Sequence, residues 1–519
     1  MTLEAAEPAQ KVTVAHGTSA GGHYSTRPFT GEEYIESLRD GREVWFDGER
    51  VKDVTTHPAF RTPVRSIARL YDALHDPASG MVTVPTDTGN GGRTHPFFKV
   101  PYTAQDLVDA RNASAHWARM TYGWMGRTPD YKAAFTGSLG VNDAYYAPYD
   151  ANARRWYQES QEKVLYWNHA LANPPVDRHL PAEQIRDVYV HVEKETDNGL
   201  VVSGAKIVAT GSAMTHMNFI AHVGAPLSDP QMALVAGIPM DSPGMKLIAR
   251  QSYAAAAMST GSAYDYPLSS RFDENDSIMV LDRVLIPWEN VFVYGDLEKV
   301  NHFGSGSGFG QRLTLQGATR LAVKLDFIAG LMLRSLSITG ARQSPGVRAR
   351  LGEVLSWRDT VWSLSDAMAF NPEPWIGGAV NPNQNASNAY RVIGATAYTR
   401  VREIVMQDLG SALIYLPSNA RDFDTPELRG YLDTYVRGSG GIGAEERVKT
   451  LKMLWDAVGT EFGGRHELYE RNYQGNHETI RQVVYQEHER LGTNKALEEL
   501  VDAAMADYDR SGWLNPDYR

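Results

Sequence analysis

Between about residues 181 and 297 the chain changes period. Asp187-Val-Tyr-Val-His-Val-Glu193 alternates apolar and polar residues, Asp197-Asn-Gly199 turns, and Leu200-Val-Val-Ser-Gly-Ala-Lys-Ile-Val-Ala209 answers, with Asn218 to His222 and Ile278 to Leu281 as further strands. On either side the apolar spacing is close to 3.6 residues. A period of two and a period of 3.6 cannot share one element, so a β domain must be set between helical ones. The chain therefore reads as α+β in four parts: a flexible arm (1–28), a mainly helical domain with a β-hairpin (29–180), a middle β domain (181–300) and a helical bundle (301–519). At 519 residues it exceeds what one core usually serves, which agrees with several domains.

Local signals fill in this frame. Thr30 caps a helix carrying Glu32 and Glu33 in its first turn, and Arg42 to Val51 alternates around Asp47-Gly48, a hairpin signal. Thr103 caps a helix over Ala104 to Met125, which leads into Met125-Gly-Arg-Thr-Pro-Asp-Tyr131. That stretch admits two readings. It is punctuation, one helix ending at Gly126 and the next starting near Pro129, or it is chemistry, a fixed cation Arg127 held four residues from the phenol of Tyr131. A helix from Ala151 to about Leu171 is expected to carry His169 near its C-terminal end, where the dipole favours a cation. Beyond the glycine-rich linker His302 to Gly310, read as a hinge, helices at about 311–340, 345–370 and 385–410 have the spacing of an antiparallel bundle.

Composition excludes several chemistries. With no cysteine there is no disulfide, no thiolate nucleophile and no cysteine-held metal or cluster. No histidine follows a glutamate by three residues, and there is no His-Glu-x-x-His, no Rossmann fingerprint and no P-loop. Hence no metal is expected. Gly17-Thr-Ser-Ala-Gly21 matches a serine-hydrolase elbow by letter but lacks the strand and helix that an elbow needs. The charge of −11 argues against nucleic acid, and the absence of a long apolar run and of a signal segment leads us to expect a cytoplasmic protein.

Five blocks are more specific: GEEYIESLRDGREVWFDGERVKDVTTHPAFR (31–61), MGRTPDY (125–131), NHALANPPVDR (168–178), RFDENDSIMVLDRVLIPWENVFVYGD (271–296) and GTEFGGRHELYERNYQGN (459–476). In this order they resemble the 4-hydroxyphenylacetate 3-monooxygenase family, the oxygenase components of two-component flavin-dependent phenol hydroxylases. The resemblance implies an acyl-CoA-dehydrogenase-like fold with a helical N-terminal domain, a middle β-barrel domain and a C-terminal four-helix bundle that assembles as a homotetramer. It implies FAD, delivered reduced by a separate flavin reductase, and O2, which together form a flavin hydroperoxide that ortho-hydroxylates a para-substituted phenol to a catechol. The substrate would be a 4-hydroxyphenylacetate- or tyrosine-like phenol, free or tethered to a carrier protein as in secondary metabolism.

The same resemblance implies site residues. Arg127, Tyr131 and His169 would contact the phenol oxygen, with His169 as the general base and also near the cofactor. Arg178, Thr210 and Ser212 would bind the flavin, together with Asn472, Tyr473, Gln474 and Gly475, and with Gln407 and Gly410 of a neighbouring subunit. Gly204 to Pro226 reads either as a loop covering the site or as an ordinary β-connection. Alternatives are a flavoprotein of the same fold with other chemistry and a non-catalytic flavin-binding scaffold, which the joint presence of Arg127, Tyr131 and His169 disfavours.

Overall fold

The computed structural model describes residues 27–518, so the arm before Arg27, with Gly17 to Gly21, lies outside the described residues. In chain order its main elements are α1 (Gly31–Ser37), β1 (Glu43–Phe46), β2 (Glu49–Val51), α2 (Arg61–Ala73), α3 (Ala104–Met120), α4 (Asp130–Thr136) and α5 (Asp150–Lys163). The strands β3 (Trp167–Ala170), β4 (His191–Thr196), β5 (Gly199–Lys206), β6 (Met217–Ile220), β7 (Leu234–Pro239), β8 (Met245–Ala249), β9 (Ser277–Pro287) and β10 (Val291–Tyr294) follow. The last part contains α6 (Phe309–Ile338), α7 (Pro345–Phe370), α8 (Gln384–Leu413), α9 (Ala444–Val458), α10 (Glu461–Asn472), α11 (His477–Arg490) and α12 (Thr493–Met505). Two compact units emerge, one comprising residues up to Val100, Arg127–Ser252 and Glu274–Ser307, the other Pro101–Gly126, Tyr253–Asp273 and Gly308 onward.

The first unit is built on two sheets. The larger has the order β2-β1-β8-β9-β5-β4, and the smaller β10-β7-β6-β3. Neither closes, so the expected barrel is corrected to two open sheets: β2 and β4 pair on one side only in the larger, β3 and β10 in the smaller. The Asp47-Gly48 hairpin forms as expected, with both residues at positive φ (52° and 78°), the primed turn that matches strand twist. Thr30 and Glu33 form a reciprocal capping box at α1. Segment 204–226 is the β-connection rather than a cover, because β6 lies within it, paired on both sides, with Met217 and Phe219 buried.

In the second unit α6, α7 and α8 form the long antiparallel helices that the spacing predicts, α9 and α10 pack against α8, and α3 lies against α6 and α7. The capping box at Thr103 starts α3. This helix stops at Met120 rather than at Met125, because Tyr122 and Gly123 take positive φ (53° and 75°), and a Cβ on Gly123 would stand 2.6 Å from the Lys324 side chain. Residues 303–306 of the glycine-rich segment form a helical turn, and Gly308, at φ 74°, provides the left-handed residue that starts α6. Among the described residues no helix is long and apolar enough to cross a membrane.

Candidate active site

α5 does not reach His169. Val164 closes it in the left-handed region (φ 54°), a conformation a β-branched residue adopts only under constraint, and the chain leaves as an extended strand. His169 therefore lies on β3, paired in parallel with β6 so that His169 faces Phe219 across the ladder. The expected dipole-stabilised cation is overturned with it. Burial, with Lys132 and Arg127 nearby, holds the His169 imidazole well below its usual range, so it is neutral at pH 7.

Pro129 provides the N-cap of α4, and its preset backbone (φ −55°) starts the helix that delivers Tyr131 and Lys132. Every residue of α4 is buried. The Tyr131 hydroxyl lies 3.4 Å from His169 Nε2. The Arg127 guanidinium carbon stands 4.5 Å from the centre of the Tyr131 ring, and Lys132 Nζ 4.6 Å from it. The Arg127 cation and the Lys132 amino group thus both lie over one phenol ring whose hydroxyl meets a neutral imidazole. Burial, then the neighbouring Arg127 charge, draws the Lys132 ammonium well below its ordinary value.

Arg127 is anchored from several directions. Its backbone N–H donates to Glu274 Oε1 (2.5 Å), its carbonyl accepts from the Tyr166 hydroxyl, and its Nη1 donates to Asn168 Oδ1 (3.1 Å). The same Asn168 oxygen accepts from the His169 N–H (2.8 Å), and the Asn168 amide donates to the Thr210 carbonyl. Asn168 therefore links the cation, the imidazole strand and the Thr210-Gly-Ser212 turn. The structure brings Arg127, Tyr131, His169 and Thr210 into one network. Ser212 joins through β6, its hydroxyl 3.2 Å from Asn218 Oδ1.

This turn presents acceptors rather than donors. Thr210 Oγ1 donates to Asp276 Oδ1 (2.5 Å) and Ser212 Oγ to Asn218, so each hydroxyl has given its one hydrogen and retains acceptor lone pairs. Gly211, at φ 70°, keeps the backbone between them free of a side chain. Two fixed acceptors around a bare peptide fit the ring N–H groups of an isoalloxazine. Among the described residues His169 Nδ1 has no hydrogen-bond partner, although it is buried, which suits a polar ligand atom.

The other expected contacts lie outside this network. Arg178 is exposed. Asn472, Tyr473, Gln474, Gly475, Gln407 and Gly410 belong to the second unit. There Gln407 is exposed and a Cβ on Gly410 would meet nothing within 4 Å. Sequence reasoning misses Lys132, Asn168, Glu274 and Tyr166. Asn168 and Glu274 stand inside the blocks 168–178 and 271–296 and Lys132 directly follows 125–131, so adjacency to a motif is the signal that could have found them.

The family model described as "4-hydroxyphenylacetate 3-hydroxylase N terminal" matches residues 30–293, and its C-terminal counterpart matches 300–502. A Streptomyces globisporus monooxygenase acting on a (3S)-3-amino-3-(3-chloro-4-hydroxyphenyl)propanoyl group on the peptidyl-carrier protein SgcC2 is 59% identical over 493 residues, covering 95% of this chain and 93% of that one. The oxygenase component of a Rhodococcus sp 4-nitrophenol 2-monooxygenase is 58% identical over 492 residues, covering 95% and 94%. Among solved structures, the oxygenase component of 4-hydroxyphenylacetate 3-monooxygenase complexed with FAD and 4-hydroxyphenylacetate superposes with a TM-score of 0.86 at 30% identity, over 92% of this chain and 99% of that one.

Proposed function

The chain belongs to the 4-hydroxyphenylacetate 3-hydroxylase family, the oxygenase components of two-component flavin monooxygenases, and from that premise we propose that Arg127, Tyr131 and His169 form its phenol pocket. The reaction is the ortho-hydroxylation of a para-substituted phenol to a catechol. Reduced FAD, supplied by a separate flavin reductase, provides with O2 the electrophilic oxygen atom. The observation that carries the pocket is the convergence of the Arg127 cation, the Lys132 amino group and a neutral imidazole on the hydroxyl-bearing ring of Tyr131.

The chain's own residues address the difficulty of the reaction, which is that a neutral phenol is a poor carbon nucleophile. An unperturbed phenol ionises near pH ~10, so at neutral pH the site must favour the phenolate. Arg127 supplies permanent charge and a fork of donors for the phenol oxygen. His169, held neutral, is in the form that accepts a proton. With Tyr131 donating to Nε2, the imidazole proton rests on Nδ1, the atom open to a ligand; with the opposite tautomer, Nδ1 is the acceptor. Burial of the whole of α4 keeps water from the pocket wall.

For the cofactor, Thr210 and Ser212 are proposed as hydrogen-bond acceptors to the flavin ring and Arg178 as a contact to its ring or pyrophosphate. Asn472, Tyr473, Gln474 and Gly475 are further proposed contacts, with Gln407 and Gly410 from a neighbouring copy. The assembly is proposed to be a homotetramer. Helix α12 supports that reading, since it buries none of its residues while Leu497, Leu500, Val501 and Met505 stand exposed. Light scattering on the full chain should give a mass of four copies.

The substrate is proposed to be a phenol with a para side chain, and the 59% relative makes a carrier-tethered phenol the first to test. The experiment mixes the protein with photoreduced FAD, O2 and a panel of para-substituted phenols, free and carrier-bound, and measures catechol. Absence of catechol from every phenol would overturn the reading.

A further inference from the structure

Lys206, the last residue of β5, is 3% exposed, and each of its ammonium hydrogens has an acceptor: Leu171 O at 3.1 Å, Asn173 Oδ1 at 2.7 Å and Ala221 O at 3.0 Å. Two of these acceptors sit at matching places. Leu171 follows β3 by one residue and Ala221 follows β6 by one, and β3 and β6 are the parallel pair that carries His169. β3 has four residues and lies at the edge of its sheet, so its ladder holds it from one side only. Short edge strands open from their ends at low cost. Here the free end is tied across to the other sheet by Lys206 and by the Ile207 N–H to Ala172 carbonyl bond (2.9 Å).

A buried ammonium is costly unless its donors are met, and a methionine would fill the same space without that cost. The lysine's distinct contribution is therefore the three bonds. We propose that Lys206 is a positioning residue for the phenol site: its ammonium ties off the ends of β3 and β6 and so fixes where His169 Nε2 meets the Tyr131 hydroxyl. The inference rests on the phenol-pocket reading above. Displacements of about 1 Å in such a group are enough to cost orders of magnitude in rate.

The clamp has a pH dependence of definite sign. Burial draws the Lys206 ammonium down to about 7. Below that pH three N–H donors serve three acceptors; above it the amine has two, and the clamp loosens as pH rises. The titratable side chains facing it are Tyr189 and His222, with Glu183 near His222; burial, more than any neighbour, keeps His222 low and hence uncharged through this range.

The test compares the full-length wild type with Lys206→Met and Asn173→Ala, each supplied with reduced FAD and a phenol that the wild type hydroxylates. Expected for Lys206→Met is at least tenfold faster amide exchange over residues 168–173 and 219–222, with β9 still protected. Catechol formed per reduced flavin oxidised should fall several-fold, the missing O2 appearing as hydrogen peroxide, and the alkaline decline of wild-type coupling should vanish. A folded Lys206→Met with unchanged exchange, coupling and alkaline limb overturns the proposal. If that variant does not fold, Asn173→Ala, which keeps the lysine and removes one acceptor, decides by the same exchange and coupling readouts. If the wild type hydroxylates no phenol, the pocket reading fails, and exchange alone still decides whether Lys206 holds the end of β3.

Discussion

In the helical unit, Arg320 and Lys324 of α6 close on the carboxylate of Glu470, Lys324 at 2.5 Å and Arg320 through both oxygens. In the sheet unit, Arg127 and Lys132 flank the ring of Tyr131. Both groups are buried, and both lysines are drawn down by burial, but the neighbours then act in opposite directions. At Lys324 the Glu470 charge offsets burial and the ammonium settles at about 8. At Lys132 the Arg127 charge adds to burial. A carboxylate at its centre makes the first group self-sufficient, a brace between α6 and α10. The second group is built instead around a polarised ring and a neutral imidazole, and the proposed phenol pocket rests on that difference.

The largest expected effect breaks the brace. Glu470→Gln leaves two buried cations facing each other and should cost about 3–5 kcal/mol of stability, read as a fall in the denaturation midpoint. The pH dependence has a fixed sign. Burial pushes the Glu470 carboxyl up, but Arg320 and Lys324 overcome it and hold it at about 2. Since its folded value is below its unfolded one, the stability it contributes is complete above about pH 4.5 and is lost as pH falls towards 2. The Glu470→Gln protein should lack that acid loss. Next comes Arg127→Ala, expected to lower hydroxylation by about 10² to 10³-fold, the scale for removing a charge-stabilising donor, while FAD binding and the melting temperature change little. Loss of flavin affinity or of stability on the scale of Glu470→Gln would place Arg127 with the braces.

The two groups also differ in how far a sequence betrays them. Arg127 and Tyr131 are legible because a glycine, a proline and an acid confine them to one turn, and the long helices α6, α7 and α8 because their periodicity runs uninterrupted. His169 is legible as a residue but not as a strand. A fourteen-residue helix ends six residues before it, and no glycine or proline announces the left-handed Val164 that closes that helix; the Val164 carbonyl accepts from the Tyr71 hydroxyl at 2.8 Å. Sheet closure is not legible at all, since strand period says which face is buried and nothing about what pairs with the last strand. The Glu470 brace escapes notice because its members are 150 residues apart and each looks like an ordinary helix charge.

The smallest effect isolates Lys132. Because a cation near His169 disfavours the imidazolium, Lys132→Met should let the His169 value rise, with burial and Arg127 still holding it below 6.5. The proton-accepting form is then lost at a higher pH, so the acid limb of kcat/KM for the phenol should move upward by less than about one pH unit, worth under ~1.4 kcal/mol. The alkaline limb should not move with it. A pH–rate profile of wild type and Lys132→Met across the acid limb measures this directly. An unmoved acid limb would mean that Lys132 carries no charge where His169 titrates, and its part in the pocket would reduce to packing against the Tyr131 ring. In that case Arg127 alone distinguishes the receptive group from the braced one.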